Sequence, residues 1–235
     1  MAEPELRALL PEGVGLHFIR LPLTGSTEAE LLAMLDTLES GMALPADARP
    51  DAIGFHCLAV STFAPCMAVE IRAHMDMVTR AHSGDSTAIT FFATADAILA
   101  ALIAPGTRDV LLVSPYIQEM HQREANYLTA SGFHVTGGGC VGVMTNAELD
   151  EITPATIFNR VMAEAIDVRA GVCFISCTAV RLASPFEMLE AALGIPVITN
   201  NQVLAWYALR QMRISDARPG FGGLFSLPLP MEDAP

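Results

Sequence analysis

Charged and aromatic residues are both scarce in this sequence. Of its 235 residues, charged ones make up 17% and aromatic ones 6%, whereas apolar ones make up 52%. This composition is typical of a well-buried globular protein and excludes a disordered chain. Only 13 lysines and arginines stand against 26 aspartates and glutamates, so the formal net charge is −13. This shortage of positive charge argues against a nucleic-acid-binding surface.

Several familiar catalytic motifs are also missing. No Walker loop is present, which leaves nucleotide binding unsupported, and no G-x-S-x-G sequence marks a serine-hydrolase elbow. The histidines show none of the paired helical spacings, such as H-x-x-x-H, that hold a metal ion. They are His17, His56, His74, His82, His121 and His134. We therefore expect neither a metal site nor a nucleotide cofactor.

The cysteines are odd in number and have no C-x-x-C spacing: Cys57, Cys66, Cys140, Cys173 and Cys177. The first residues, MAEPELRALLPEG, are mixed and acidic, unlike a secretory signal peptide. We therefore expect free thiols in the reducing cytoplasm, with disulfide pairing as the weaker alternative. The two long apolar runs, 52–69 and 88–105, each contain polar residues. We therefore interpret each run as a buried strand that continues into a helix, and not as a membrane span.

Apolar runs of strand length alternate with stretches of helical periodicity along the chain. Strands are predicted at 16–20, 53–57, 88–92, 110–114, 133–136, 172–175 and 195–199, and Gly137-Gly138-Gly139 is predicted as a flexible turn. Helices are predicted at 28–39, 67–82, 94–103, 118–131, 154–169, 185–193 and 203–212, with Thr27, Thr153 and Ser184 as N-caps. The alternation predicts a parallel α/β architecture, and the number of strands favours two similar lobes.

Two cysteines follow predicted buried strands. Cys57 lies in DAIGFHCLAV and Cys177 in VCFISCTAVR, and open α/β sheets place their chemistry at such strand ends. The N–H groups that follow them, of Leu58 and Ala59 and of Thr178 and Ala179, can lower a thiol pKa or hold a substrate carboxylate. A cysteine that only packs is the alternative at each position. The other three cysteines lack this context and are predicted to be structural.

Five segments together resemble the aspartate/glutamate racemase superfamily, in the branch of maleate cis–trans isomerases and arylmalonate decarboxylases. DAIGFHCLAV is similar to the first-cysteine segment of the isomerases, and FISCTAVR followed by LGIPVITNN to their second. VSPYIQEM resembles their strand-then-tyrosine segment and gives Tyr116. Asn146, in VMTNAELDEITP, falls where they have a substrate-binding asparagine, and ARPGFGGLF resembles the tail of the decarboxylases.

The resemblance implies two Rossmann-like lobes related by pseudo-twofold symmetry, with the active site in the cleft between them. The lobes would comprise residues 1–90 plus 206–235 and residues 91–205. The family opens with a strand and loop of the type I-G-x-I-x-P-S-S-N, and Met1–Leu10 matches the part just after that loop, so we expect either a start that is placed too late or a first lobe without that strand. A cytoplasmic homodimer or higher homo-oligomer, acting on a small molecule without nucleic acid or membrane, is also implied.

The resemblance also implies a chemistry. In the isomerases, the residue at Cys57 adds as a thiolate to one alkene carbon of maleate, and the residue at Cys177 delivers and later removes a proton at the other. Rotation about the resulting single bond and elimination then yield fumarate without a cofactor. Tyr116, Asn146 and the N–H groups after each cysteine would hold the two carboxylates.

Three alternatives stay open. Amino-acid racemases of the superfamily use two cysteines as base and acid on opposite faces of Cα, so a racemase or epimerase of an amino-acid-like substrate is the main one. Arylmalonate decarboxylases keep only the cysteine that matches Cys177 and have glycine at the other position, so Cys57 argues against their activity. A non-catalytic protein that binds small anions is the third.

Overall fold

The computed structural model describes residues 2–22, 28–64, 66–83, 89–178 and 186–230. Backbone contacts divide the chain into two compact units, Gly13–Ala97 and the combination of Met1–Glu12 with Ile98–Pro235. The division into lobes at 1–90 plus 206–235 and 91–205 stays a prediction. The predicted N-caps Thr27 and Ser184 lie outside the described residues.

Helices and strands alternate along most of the described chain. The helices are α1 (Ala2–Leu9), α2 (Glu28–Asp36), α3 (Leu38–Asp47), α4 (Leu58–Ser61), α5 (Met67–Ser83), α6 (Thr94–Ile103), α7 (Gln118–Ala130), α8 (Asn146–Glu151), α9 (Pro154–Glu164), α10 (Phe186–Leu193) and α11 (Asn200–Gln211). The strands are β1 (Ala52–Phe55), β2 (Thr90–Ala93), β3 (Asp109–Tyr116), β4 (His134–Val143), β5 (Val172–Ile175) and β6 (Val197–Thr199). Every strand pair among the described residues is parallel, which confirms the predicted α/β class with parallel sheets.

The unit Gly13–Ala97 contains a two-stranded parallel sheet, in which Phe55 at the end of β1 pairs with Ala93 at the end of β2. Helices α3 and α5 pack against each other in this unit. Their buried side chains stand four residues apart, the spacing that places side chains on one helix face. These are Leu38 and Met42 on α3 and Ile71 and Met75 on α5.

Two sequence predictions for this unit are wrong. The predicted strand 16–20 pairs with no strand in the described part of the chain, because alternating polarity alone does not supply a hydrogen-bonded neighbour. The predicted helix 28–39 is two helices, with Thr37 between them, and the second of them extends to Asp47.

The other unit is built on a four-stranded sheet of order β4-β3-β5-β6. Strand β5 lies between β3 and β6 and is buried along its whole length. Ile175 pairs with Val113 on one side and with Thr199 on the other. The carboxyl ends of these three strands therefore meet at one edge of the sheet, the edge at which parallel α/β proteins place their sites.

Strand β4 includes the three glycines that were predicted as a turn. Gly138 pairs with Leu112 of β3, so the chain continues in register through Gly137-Gly138-Gly139 instead of turning. Gly137, Gly139 and Gly142 have the spacing G-x-G-x-x-G, but they lie within the strand and not in a turn that begins a helix. The pattern therefore does not form a dinucleotide-binding loop.

The two apolar runs have the organisation that the sequence predicted. Residues 52–69 contain β1, α4 and the start of α5, and residues 88–105 contain β2 and α6. Within the described ranges, none of the helices has both the length and the apolar character needed to cross a bilayer.

Candidate functional site

Cys57 lies where β1 gives way to α4. It is the N-cap of that short helix, with an extended backbone (φ −150, ψ 106), and its side chain makes no capping hydrogen bond. The thiol is partly exposed. Leu58 and Ala59 form the first turn of α4, where N–H groups have no acceptor within the helix itself. Their placement after a strand-end thiol is the one that the sequence predicted, and their role in substrate binding stays a prediction.

His56, beside Cys57, contacts the residue at which β2 continues into α6. Its Nδ1 lies 3.2 Å from the Thr94 hydroxyl oxygen, and that hydroxyl donates to the Phe55 carbonyl oxygen at 3.0 Å. Thr94 is completely buried. The imidazole is therefore held between neighbouring strands of its own unit, in agreement with a packing role for His56.

Cys177 lies just beyond the end of β5. The Ser176 N–H donates to the Val113 carbonyl oxygen at 2.8 Å, and Cys177 follows that hydrogen bond. Its side chain is only 3% exposed and belongs to an apolar cluster with Ile175, Phe186 and other core residues. The thiol therefore lies at the expected strand end, in an environment from which water is largely excluded.

Tyr116 is brought to the same cluster. It is the last residue of β3 and packs, partly buried, against the cluster that contains Cys177. Tyr116 therefore lies at the carboxyl end of the strand next to β5, and its role in substrate binding stays a prediction. Thr178 is the last described residue of the segment after Cys177, and Ala179 lies outside the described residues.

Asn146 is the first residue of α8. Thr145 caps this helix in a capping box with Glu148, and the backbone N–H groups of Thr145 and Met144 lower the pKa of the Glu148 carboxyl. Leu149 of the same helix packs against the Cys177 cluster. The structure therefore brings the start of α8 to the neighbourhood of Cys177, while the Asn146 side chain itself lies outside the described part.

Of the remaining cysteines, only Cys173 is buried, and the structural roles of Cys66 and Cys140 stay predictions. Cys173 points into the core from the middle of β5, and burial raises the pKa of its thiol to about 12. Cys140 donates from Sγ to the Gln118 side-chain oxygen at 3.3 Å. Cys66 is exposed.

The sequence analysis did not identify two buried polar side chains that connect to the segment after Cys177. Glu5 of α1 and Asn201 of α11 are 4% and 1% exposed, and the Asn201 Nδ2 donates to a Glu5 carboxylate oxygen at 2.8 Å and to the Thr178 carbonyl oxygen at 3.3 Å. The local sequence contains one hint of this link, the Asn200-Asn201 pair that directly follows β6. No local pattern indicates that Glu5 is its partner, 196 positions away.

A second buried polar group lies between α7 and the sheet. Glu124 is only 4% exposed, and burial raises the pKa of its carboxyl to about 8, against the opposing effects of the Ser176 hydroxyl and the Arg123 charge. On the same helix, His121 Nδ1 lies 2.9 Å from the Ser114 hydroxyl oxygen, and burial lowers the pKa of this imidazole.

In the described ranges, no group of three or more histidine, cysteine, aspartate or glutamate side chains is arranged to hold a metal ion. Thiol chemistry at two strand ends, with nearby backbone N–H groups and a tyrosine, is what the described residues offer.

Similarity to known proteins extends over most of the chain. A family model described as arylmalonate decarboxylase matches residues 74–225. A maleate isomerase from Nocardia farcinica is 28% identical over 228 residues, covering 94% of this chain and 89% of that protein. The crystal structure of a maleate isomerase from Pseudomonas putida superposes with a TM-score of 0.87 at 22% identity, covering 96% of this chain and 93% of that one.

A further solved structure bears on covalent chemistry. It is a cysteine-to-serine mutant of the Nocardia farcinica maleate cis–trans isomerase with a covalently bound succinylcysteine intermediate. Its TM-score is 0.82 at 26% identity, covering 95% of this chain and 91% of that one. These similarities confirm the resemblance that the cysteine segments indicated.

Proposed function

The chain belongs to the arylmalonate decarboxylase family, and we propose that within this family it is a cofactor-independent cis–trans isomerase of a small dicarboxylate, of the maleate-to-fumarate type. The observation that carries the proposal is the thiol of Cys57 at the end of β1. The resemblance implies that the decarboxylases of this family use one cysteine, at the position of Cys177, and have glycine at the position of Cys57. A second strand-end thiol gives this chain a nucleophile that a decarboxylase does not require.

The first step is an addition. The Cys57 thiolate attacks one alkene carbon of maleate, so that an S–C bond forms while the π bond breaks, and the electron pair moves onto the carboxylate of the second carbon as an enediolate. Donors that stabilise this developing charge lower the barrier. The N–H groups of Leu58 and Ala59 are proposed to hold the first carboxylate, and the groups that hold the second one stabilise the enediolate. Cys177 then delivers a proton to the second carbon, giving a succinyl adduct on Cys57.

The second step reverses the first after a rotation. In the adduct the former double bond is a single bond, about which the two carboxylates turn freely. Cys177 removes the proton that it delivered, the C–S bond breaks, and the alkene forms again with the carboxylates trans. Atoms and charge balance over the cycle, so no cofactor or co-reactant is needed.

This mechanism requires both thiols to reach one substrate. We therefore propose that the chain forms two lobes related by pseudo-twofold symmetry, residues 1–90 plus 206–235 with Cys57 and residues 91–205 with Cys177, and that the substrate binds in the cleft between these lobes. Tyr116, together with Asn146 and the N–H groups of Thr178 and Ala179, is proposed to hold the second carboxylate. The packing of Tyr116 and α8 against the Cys177 cluster supports this assignment.

The test is to incubate the purified protein with maleate and to follow fumarate by proton NMR. We expect turnover by the wild type and a loss of about 1,000-fold or more in Cys57→Ser, the scale expected when a nucleophile is removed. Cys66→Ser is the matched control, because it removes an exposed cysteine outside the proposed site, and it should retain full activity. Absence of fumarate from the wild type, or full activity of Cys57→Ser, would overturn the proposal.

Cys177→Ser separates the two thiols. Addition by Cys57 should still occur, with solvent water supplying the proton that Cys177 no longer delivers. Intact-mass spectrometry of this variant with maleate should therefore show a gain of one maleic acid, located at Cys57 by peptide mapping. A racemase would instead exchange Cα hydrogen of a chiral amino-acid substrate with solvent deuterium, and a decarboxylase would release carbon dioxide from an arylmalonate. Size-exclusion chromatography with light scattering tests the homodimer that the resemblance implies.

A further inference from the structure

Glu5 is an unusual residue for the buried face of a short helix. Helix α1 buries Glu5 together with Leu6 and Leu9, while Glu3 and Arg7 pair at 2.9 Å on its exposed face. A carboxylate that is taken out of water costs several kcal/mol unless it is hydrogen-bonded, so a glutamate at this position needs partners in the folded chain.

Asn201 is one such partner, and it links Glu5 to the segment after Cys177. The amide nitrogen of a single asparagine carries two hydrogens, enough to serve both the Glu5 carboxylate at 2.8 Å and the Thr178 carbonyl at 3.3 Å. The alternative amide orientation would place the Asn201 oxygen against these two acceptors. The chemistry of the partners therefore fixes which way the amide points.

The hydrogen bond to the Thr178 carbonyl lies next to the proposed catalytic thiol of Cys177. Strand β5 ends at Ile175, and the next N–H, that of Ser176, donates to the Val113 carbonyl oxygen, so the backbone at Cys177 and Thr178 lies beyond the strand. Thr178 directly follows Cys177 in the chain, so a hydrogen bond that holds the planar peptide group of the Thr178 carbonyl also restrains the backbone that carries the Cys177 thiol.

We propose that Glu5 and Asn201 are positioning residues for the Cys177 side of the reaction. Glu5 orients the Asn201 amide through their hydrogen bond, and the amide in turn fixes the backbone at Thr178. This inference rests on the proposed function, because the proposed function is what assigns the proton transfer to Cys177. It adds a role for α1, which contributes no residue to the proposed site itself.

The activity test uses two alanine substitutions and one conservative substitution. Asn201→Ala and Glu5→Ala should each lower kcat with maleate by roughly 10- to 100-fold, the scale of a misplacement of about 1 Å at a reacting group. Glu5→Gln retains an acceptor for the Asn201 amide and should keep most of the activity. Glu3→Gln, on the exposed face of the same helix, is the matched control and should be unchanged.

Two readouts distinguish positioning from general loss of structure. Solvent water can replace Cys177 in protonating the enediolate but not in removing the carbon-bound proton. Slower proton removal by Cys177 should therefore let the maleate adduct on Cys57 accumulate in Asn201→Ala, as measured by intact mass, whereas partial unfolding would lower the rates of both steps. The double variant Glu5→Ala with Asn201→Ala should be no slower than the slower single variant, because both residues act through one link. Additive losses of kcat in the double variant, or alanine substitutions that leave kcat unchanged, would overturn the inference.

A measurement without substrate separates this inference from the proposed function. The rate at which iodoacetamide labels Cys177, with Cys57 as internal reference, should change several-fold in Asn201→Ala and Glu5→Ala and remain unchanged in Glu3→Gln. A wild type that does not convert maleate would refute the proposed function, and the labelling rates would still decide whether the link controls Cys177. If Asn201→Ala does not fold, Glu5→Ala carries the same comparison. Equal labelling in all variants would refute the link.

Discussion

Replacing the buried Glu124 by glutamine should change how stability depends on pH. Burial raises the pKa of this carboxyl from 4.5 to about 8. Between these values the folded chain keeps a proton that the unfolded chain has released, so the free energy of unfolding falls as pH rises from about 4.5 to about 8. Each pH unit in this window is worth about 1.4 kcal/mol. A glutamine side chain at this position is neutral at every pH and would escape this loss.

The magnitude follows from the two pKa values. From pH 5 to pH 8 the wild type should lose roughly 3 to 4 kcal/mol of stability through Glu124 alone, after allowing for partial ionisation at both ends of the window. Contributions from all other titratable groups are shared by the two proteins and largely cancel in the difference. The variant should therefore become more stable relative to the wild type by this amount as pH rises.

Urea unfolding at pH 5 and pH 8 measures the difference. Trp206 is the only tryptophan of the sequence, is completely buried and lies in the same unit as Glu124, so its fluorescence reports the unfolding of that unit. Glu119→Gln, at an exposed position of the same helix, is the matched control and should leave the pH dependence unchanged. Parallel stability curves for wild type and Glu124→Gln would refute the assignment of a neutral buried carboxyl.

Two further predictions concern His121 and the cysteines outside the site. Because burial lowers the pKa of His121, the folded chain resists the proton that the unfolded chain accepts below pH 6.5, so His121→Gln should lose less stability than the wild type between pH 7 and pH 5 in urea unfolding. An unchanged acid-side slope would contradict this. Cys173, with a thiol pKa of about 12 and no exposure, should remain unlabelled by iodoacetamide at pH 8 while the exposed Cys66 is labelled. Early labelling of Cys173 in peptide mapping would show that the β5 core opens.

The parts of the fold that were predictable are those with a local cause. The run 172–175 ends at a polar segment and is followed by a helical pattern, so β5 and the placement of Cys177 at its end follow from neighbouring residues alone. The same holds for Cys57 after β1. Thr153 with a proline next in the chain likewise predicts the start of α9, and the structure confirms that cap.

The parts that could not be predicted depend on distant partners. The segment 16–20 alternates in polarity as a strand does, but a strand forms only where another strand accepts it. Glu5 is one of many acidic residues, and its burial becomes understandable only when Asn201, at the far end of the chain, supplies a donor. The neighbourhood of Tyr116, α8 and Cys177 likewise depends on the order of strands in the sheet, which local periodicity does not encode.

Gly138 has the local features of a turn residue, but the reason for a glycine at this position is its contact with a neighbouring strand. This difference can be tested directly. Its φ of +145 and its two glycine neighbours are typical of a turn, yet it pairs with Leu112 inside the sheet, and an added Cβ would overlap the Leu112 carbonyl oxygen. Gly142, on the same strand, also has a positive φ of +97 but has open space around its Cβ position.

Gly138→Ala and Gly142→Ala therefore separate backbone conformation from strand approach. Alanine at 142 should cost only the conformational strain, about 1–2 kcal/mol. Alanine at 138 must in addition push β4 away from β3, and should cost at least about 3 kcal/mol in urea unfolding followed by Trp206 fluorescence. Because β3 also carries Tyr116, the displacement should reduce maleate turnover in Gly138→Ala more than in Gly142→Ala. Equal losses of stability in the two variants would mean that the positive φ alone explains the glycine, and that β4 and β3 do not approach closely at Leu112.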